Sequence, residues 1–151
     1  MNRYLQTITF CLLAFLITLS CCKKEDEPVL DPVPAITLAS IAPTTVKQFE
    51  DSILLLIEYE DGDGDLGFVH RDSLALQIKD KRLTEPDFYY VPALAPVESE
   101  ISIQGIIEVV IPNTFLLGSG GIETTDYTLK MKDRSGNWSN TVVSPEITVT
   151  P

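Results

Sequence analysis

An acidic, glycine-rich segment at residues 60–67 carries the side chains with the clearest chemical potential. It reads EDGDGDLG and places Glu60, Asp61, Asp63 and Asp65 within six residues. Four like charges this close repel one another, and the interspersed glycines lose much backbone entropy on folding. Two explanations are open: the carboxylates bind one cation together, or the segment is a solvated turn without a metal. We favour the cation, and Ca²⁺ as its identity.

The spacing of the carboxylates suits a hard cation. Asp61, Asp63 and Asp65 occupy positions 1, 3 and 5 of an EF-hand-like pattern, and Asp72 occupies position 12. Alternate side chains of a tight loop turn inward, so their oxygens can surround one ion. However, position 6 is Leu66 rather than glycine, and predicted strands rather than helices flank the loop. The pattern therefore predicts a calcium site in a loop between strands; the alternative is an Asp/Gly-rich turn that binds no metal.

The elements that must position this loop are short β-strands, because no helical periodicity follows residue 36. The predicted strands are residues 36–41, 52–59, 74–79, 88–91, 100–111, 126–132 and 141–149. The second is the clearest, since its alternating residues share one face: Ile53, Leu55, Ile57 and Tyr59. Gly105 predicts a bulge or a bend in the fifth. Seven short strands predict an all-β immunoglobulin-like or fibronectin-III-like sandwich, with a jelly roll or a small barrel as the alternative.

A second polar segment, residues 133–140 (DRSGNWSN), follows the predicted strand 126–132. In such a sandwich the loop after the second strand and the loop before the last strand meet at one end. Asp133 and Asn137 are therefore predicted to complete the coordination of the cation from the other side. The alternative is a simple hairpin turn with Gly136 or Asn137 in the left-handed conformation.

The remaining titratable side chains do not suggest a catalytic set. His70 is the only histidine, and no cysteine follows Cys22, so neither a structural zinc site nor a thiolate nucleophile is expected. The G-x-S-x-G pattern of a serine nucleophile is also absent. A hydrolase with paired carboxylates would find little cleft in so small a sandwich, and we predict that the protein is not an enzyme.

Aromatic residues supply a candidate contact surface. Phe88, Tyr89, Tyr90 and Trp138 could pack in the core or stack on a sugar or a protein partner. Of these, Tyr89 and Trp138 are the two predicted to be exposed and available to a ligand.

The N-terminal part of the chain contains targeting and linker signals. Residues 1–20 combine a short basic start with an apolar run too short for a membrane span, which predicts a signal peptide. The string ITLSC resembles the lipobox of bacterial lipoproteins, which implies that Cys21 carries the lipid, with Cys22 the less favoured acceptor. Residues 21–35 are charged and proline-bearing, and they predict a lipidated, extended tether before a domain at 36–151.

The charge balance narrows the range of partners. The chain carries 22 acidic and 11 basic residues, a formal net charge of −11. Nucleic acids and anionic membrane surfaces both require a basic face, so neither is an expected partner of the body of the chain. The acidic balance suits solubility and cation binding.

Two further strings resemble those of a known class of lipoproteins. The string CCKKEDEP is similar to the surface-export signal of Bacteroidota lipoproteins, and no aspartate follows Cys21 directly, as an inner-membrane retention signal would require. The mature chain also resembles Bacteroidota lipoproteins that carry YEDGDGDLG and D-x-x-G-N-x-S-N, found here at 59–67 and 133–140. The resemblance implies an extracytoplasmic β-module on the outer membrane at the cell surface, or alternatively on its periplasmic face.

Together these features predict a lipid-anchored β-sandwich that serves as a binding or structural module braced by Ca²⁺. Its expected partners are the membrane, through the N-terminal lipid, and a protein or glycan. The alternatives are a glycan-binding accessory lipoprotein of a nutrient-uptake system and, less favoured, a hydrolase.

Overall fold

A computed structural model of the chain describes residues 30–151, and within this range the chain forms ten strands and no helix. The strands are β1 (Ala35–Ala42), β2 (Thr45–Lys47), β3 (Ile53–Asp61), β4 (Leu76–Asp80), β5 (Asp87–Tyr89), β6 (Ile103–Ile111), β7 (Glu123–Thr125), β8 (Tyr127–Met131), β9 (Val142–Val143) and β10 (Ile147–Thr150). The predicted signal peptide, Cys21 and most of the tether lie outside the described residues. Across residues 30–151 no helix is long and apolar enough to cross a membrane.

The strands pair into sheets that together make a sandwich. One sheet has the order β1-β3-β6, and the other side consists of the sheets β5-β4-β8-β9 and β2-β10-β7. These last two continue each other, because only Asp126 separates β7 from β8 and a short stretch around Pro145 separates β9 from β10. All pairings are antiparallel except that of β2 with β10. The all-β sandwich prediction is confirmed, and the described strands do not close into a barrel.

The core is built from the inward faces of both sides. β3 is the middle strand of its sheet, and its residues Ile53, Leu55 and Ile57 are at most 1% exposed, as the alternation predicted. Leu129 and Met131 of β8 belong to the same buried cluster. Burying each such side chain contributes about 1.5–3 kcal/mol, so the two strands that lead to the acidic loop and to the DRSGN segment are firmly held.

Of the bulge or bend predicted at Gly105, the bulge is wrong. Gly105 pairs with Tyr59 in an unbroken register along β3 and β6. A Cβ atom at Gly105 would lie 2.7 Å from the Tyr59 hydroxyl oxygen, so the glycine leaves room for the tyrosine side chain across the pair. The register of this sheet shifts in β1 instead, between Leu38 and Ser40.

The two polar loops meet at one end of the sandwich, as predicted. β3 ends at Asp61, and β8 ends at Met131, shortly before Asp133. An isolated antiparallel bridge joins Leu66 in the acidic loop to Asp133 in the second loop.

Candidate metal centre

The candidate metal centre starts at the last residue of β3. Because side chains alternate along a strand, Asp61 continues the inward face of Ile57 and is fully buried. Its Oδ2 accepts a hydrogen bond from the Leu66 N–H at 3.0 Å, which closes the intervening loop. The fold therefore places a carboxylate where the strand pattern would otherwise place an apolar side chain.

Three carboxylates converge there. One oxygen from each of Asp61, Asp63 and Asp65 lies within 4.8 Å of the other two. The Oδ1 atoms of all three are buried and have no hydrogen-bond partner among the described residues. Two oxygens that bind one Ca²⁺ at about 2.4 Å lie at most about 4.8 Å apart. The group could therefore hold a metal ion, and carboxylate oxygens alone favour a hard cation over zinc.

The pKa of Asp61 reflects its burial and the nearby carboxylates. Burial, together with the charges of Asp63 and Asp65, raises the pKa of the Asp61 carboxyl to about 6. The hydrogen bond from the Leu66 N–H acts in the opposite direction but does not cancel the rise. In the absence of a metal, a proton is thus the cation that this site attracts.

Glycines let other chain segments press against the acidic loop. The backbone of Ile101 lies where a Cβ of Gly64 would be, and the backbone of Leu30 and Asp31 does the same at Gly62. The Gly62 N–H donates to the Asp31 carbonyl at 2.8 Å. Contacts of the fold therefore reach back into the predicted tether, to residues before β1.

Arg134 ties the second loop to the acidic loop through its backbone. Its guanidinium donates hydrogen bonds to the carbonyl oxygens of Gly64, Leu66 and Gly67 at 3.1–3.4 Å. The Arg134 N–H also donates to the Asp65 carbonyl at 3.2 Å. A cation on this side offsets part of the negative charge of the loop, and it fixes the loop's curvature.

Ser135 supplies the direct side-chain contact to the carboxylates. Its N–H and its hydroxyl both donate to Asp65 Oδ2, at 3.0 and 2.7 Å. One oxygen of Asp65 is thereby oriented by the second loop, while Oδ1 has no partner. Sequence reasoning did not single out Arg134 or Ser135, although both lie inside the DRSGN string.

Asp133 and Asn137 contact each other. Asp133 is fully buried, and its two oxygens accept from the Asn137 N–H at 2.7 Å and from the Asn137 side-chain amide at 2.9 Å. The converging carboxylates do not include Asp133. Its contacts fit a residue that shapes the second loop, and direct ligation by Asp133 or Asn137 stays a prediction.

The other acidic and basic groups of the pattern point elsewhere. Glu60 and Asp72 are exposed and lie outside the converging group. His70 is exposed in a turn in which its carbonyl accepts from the Ser73 N–H.

The two aromatic residues predicted to be exposed differ in their surroundings. Trp138 is 38% exposed, with the Lys132 amine 5.8 Å from its ring centroid. The predicted exposure of Tyr89 is wrong: it is half-buried and packs against the core, because it pairs with the buried Leu76 and so faces the same side. Its neighbour Phe88 points outward instead and is 46% exposed.

Comparison of the chain with protein-family models, with curated proteins and with solved structures finds no match.

Proposed function

We propose that the protein is a lipid-anchored extracytoplasmic β-sandwich, a binding or structural module whose loop end is held together by Ca²⁺. The observation that carries the metal is the set of three buried carboxylate oxygens without partners on Asp61, Asp63 and Asp65. Removing charges from water without pairing them is expensive, and one divalent cation would pair all three at once.

Calcium fits this arrangement better than magnesium. Ca²⁺ accepts six to eight oxygens in a flexible geometry, so carbonyl groups and water can fill the positions that the three aspartates leave. Mg²⁺ demands a tight octahedron and gives up its water reluctantly. The surrounding loop also offers backbone carbonyls, although several already accept bonds from Arg134.

The anchored location rests on the sequence strings at the N-terminus and not on the folded domain. The lipobox-like ITLSC and the CCKKEDEP string support an outer-membrane lipoprotein that faces the outside of the cell. The contact of Leu30 and Asp31 with Gly62 agrees with a short tether between that lipid and the domain.

Calcium should stabilise the purified protein against heat. Binding to the folded state alone contributes about 2.7 kcal/mol at a hundredfold excess over Kd, which raises the melting temperature by roughly 10 °C. Extracellular calcium modules bind at about 10⁻⁴–10⁻³ M, so the titration must extend to tens of millimolar. The measurement is the melting temperature in EDTA, in Ca²⁺ and in Mg²⁺, and Mg²⁺ should give a much smaller rise.

Matched variants locate the ion. Asp63→Asn should lose most of the calcium-dependent rise, whereas Asp72→Asn should keep it, because Asp72 is exposed and outside the group. If neither calcium nor EDTA moves the melting temperature of the unsubstituted protein, the acidic loop is a solvated turn and the proposal is wrong.

A further inference from the structure

The end of the sandwich opposite the metal centre contains a cavity of about 290 Å³. β3 begins at Ile53 near this end and finishes at Asp61 in the metal centre, so the length of the sandwich separates the two. Pockets for small ligands span about 300–1,000 Å³. This cavity is at the lower limit of that range and suits a single ring rather than an extended chain.

Arg82, the basic side chain that lines the cavity, is already paired with acidic groups, whereas the exposed Asp87 carboxylate lines the cavity without an ion pair among the described residues. Arg82 bonds Asp80 at 2.7 Å and Glu123 at 2.8 Å, and it also donates to the Phe115 carbonyl. Asp80 accepts a further hydrogen bond from the Thr125 hydroxyl. The network leaves no free basic group for an anion, and the net charge of −11 disfavours an anion further.

One hydroxyl group at the cavity is buried and unpaired. Thr114 is 3% exposed, and its buried hydroxyl has no hydrogen-bond partner among the described residues. A buried polar group left unpaired costs about 1–3 kcal/mol, so this hydroxyl favours a ligand that can form a hydrogen bond with it.

An aromatic surface continues the cavity to the outside. Phe115 lines the cavity, and its ring stacks on Phe49 with centroids 6.4 Å apart and planes 7° from parallel. Phe49 is 66% exposed, because the stacking leaves one face of its ring open to solvent. On another side of the cavity Phe88 is also exposed.

The backbone at this end is strained where it presents these residues. Phe49 and Asn113 have φ values of 61° and 56°, in the left-handed region that non-glycine residues rarely adopt. The Phe49 N–H donates to the Thr114 carbonyl at 2.9 Å, which joins the exposed ring to the segment with the unpaired hydroxyl. Strain of this kind concentrates at ligand sites.

We infer that this cavity binds a neutral, polyhydroxylated ligand of the size of one sugar ring. A ring hydroxyl would pair with Thr114, and the apolar face of the ring would lie against aromatic side chains such as Phe88 and Phe115. An apolar ligand would leave the Thr114 hydroxyl unpaired, and an anion would meet no free cation. The site shares no residue with the metal centre, so it is independent of the calcium proposal.

The test is an NMR titration of the protein with glucose, galactose, mannose and N-acetylglucosamine, each taken to tens of millimolar. At least one probe should shift the amide signals of residues 113–115 and 88–89 in a saturable way, and EDTA should not change this. Absence of a saturable shift there with all four sugars overturns the inference. So does a shift confined to the loop around Trp138, or a shift at the cavity with choline but not with any sugar.

Thr114→Val separates a ligand role from a structural one. The hydroxyl has no partner in the free protein, so its replacement by a methyl group of similar shape should keep or raise the melting temperature. Sugar affinity should fall by about tenfold, the effect of one lost hydrogen bond. Thr141→Val, at an exposed position near the other end, is the matched control and should retain affinity. Equal affinity in Thr114→Val and in the unsubstituted protein overturns the assignment of this residue.

Discussion

Asp61 is subject to two opposing demands. The strand pattern turns it inward and removes it from water, whereas its charge requires water or a partner. Only one of its oxygens obtains a partner within the described residues, from Leu66. The second oxygen must therefore share a cation with Asp63 and Asp65, or the group must take up a proton.

The stability of the metal-free protein should consequently fall as the pH rises from about 4 to about 6. The pKa of Asp61 is raised from 3.8 to about 6, so the folded state binds the proton more tightly than the unfolded state does, and this advantage is lost as the carboxyl ionises. Asp80, whose pKa is lowered, acts in the opposite sense only below its ordinary value of 3.8. In EDTA the protein should melt at a higher temperature near pH 5 than near pH 7, and calcium should reverse that order.

Asp61→Asn isolates the contribution of this carboxyl. The amide oxygen can still accept from the Leu66 N–H, so the fold should persist while the pH dependence between about 4 and 6 disappears. Glu60→Gln, at an exposed neighbouring position, should leave the dependence intact. If Asp61→Asn and the unsubstituted protein show the same dependence of melting temperature on pH in EDTA, the explanation is wrong.

Among the elements, the acidic loop owes its shape to close backbone contacts as much as to its charges. Gly64 has a φ of 72° and faces the Ile101 carbonyl where a side chain would begin. Gly64→Ala should therefore lower stability by about 2–4 kcal/mol, roughly 10 °C in melting temperature, with or without calcium. Gly120→Ala is the matched control, because no atom lies within 4 Å of its added Cβ, and it should change little. A tolerated alanine at Gly64 would show that the loop can move away from Ile101.

The sequence predicts the elements better than the contacts between them. Period-two alternation located β3 and its buried face, and the sandwich topology brought the two polar loops to one end. Which side chains then meet depends on register, and a shift of one position exchanges the faces. This is why Phe88 rather than Tyr89 is exposed, and why Ser135 rather than Asp133 bonds Asp65. No pattern in the sequence pairs Gly105 with the Tyr59 side chain across two strands.

For the whole molecule, the start of the described chain shows which end of the domain the proposed tether would join. Leu30 and Asp31 lie against Gly62, so the first described residues lie beside the candidate metal centre. The nine residues from Cys21 to Val29 can span at most about 30 Å when fully extended. A lipid on Cys21 would therefore be joined to the domain at the end that carries the candidate metal centre, and the cavity at Thr114 would lie at the end away from the point of attachment. Calcium at the proximal end would then hold together the point through which the tether is attached.

That arrangement depends on which cysteine carries the lipid. The lipobox pattern requires a small residue directly before the acceptor cysteine. Ser20 meets this requirement for Cys21, whereas Cys22 is preceded by Cys21. Cys21→Ala removes the thiol that would carry the lipid, so it should abolish incorporation of a labelled fatty acid. It should also release the protein from the membrane fraction, because stable anchoring needs two or more acyl chains. Cys22→Ala is the adjacent control and should retain both the label and the membrane association. If Cys21→Ala is labelled fully and Cys22→Ala is not, the acceptor is Cys22. If neither the unsubstituted protein nor Cys22→Ala is labelled, the protein has no lipid anchor and the proposal of one is wrong.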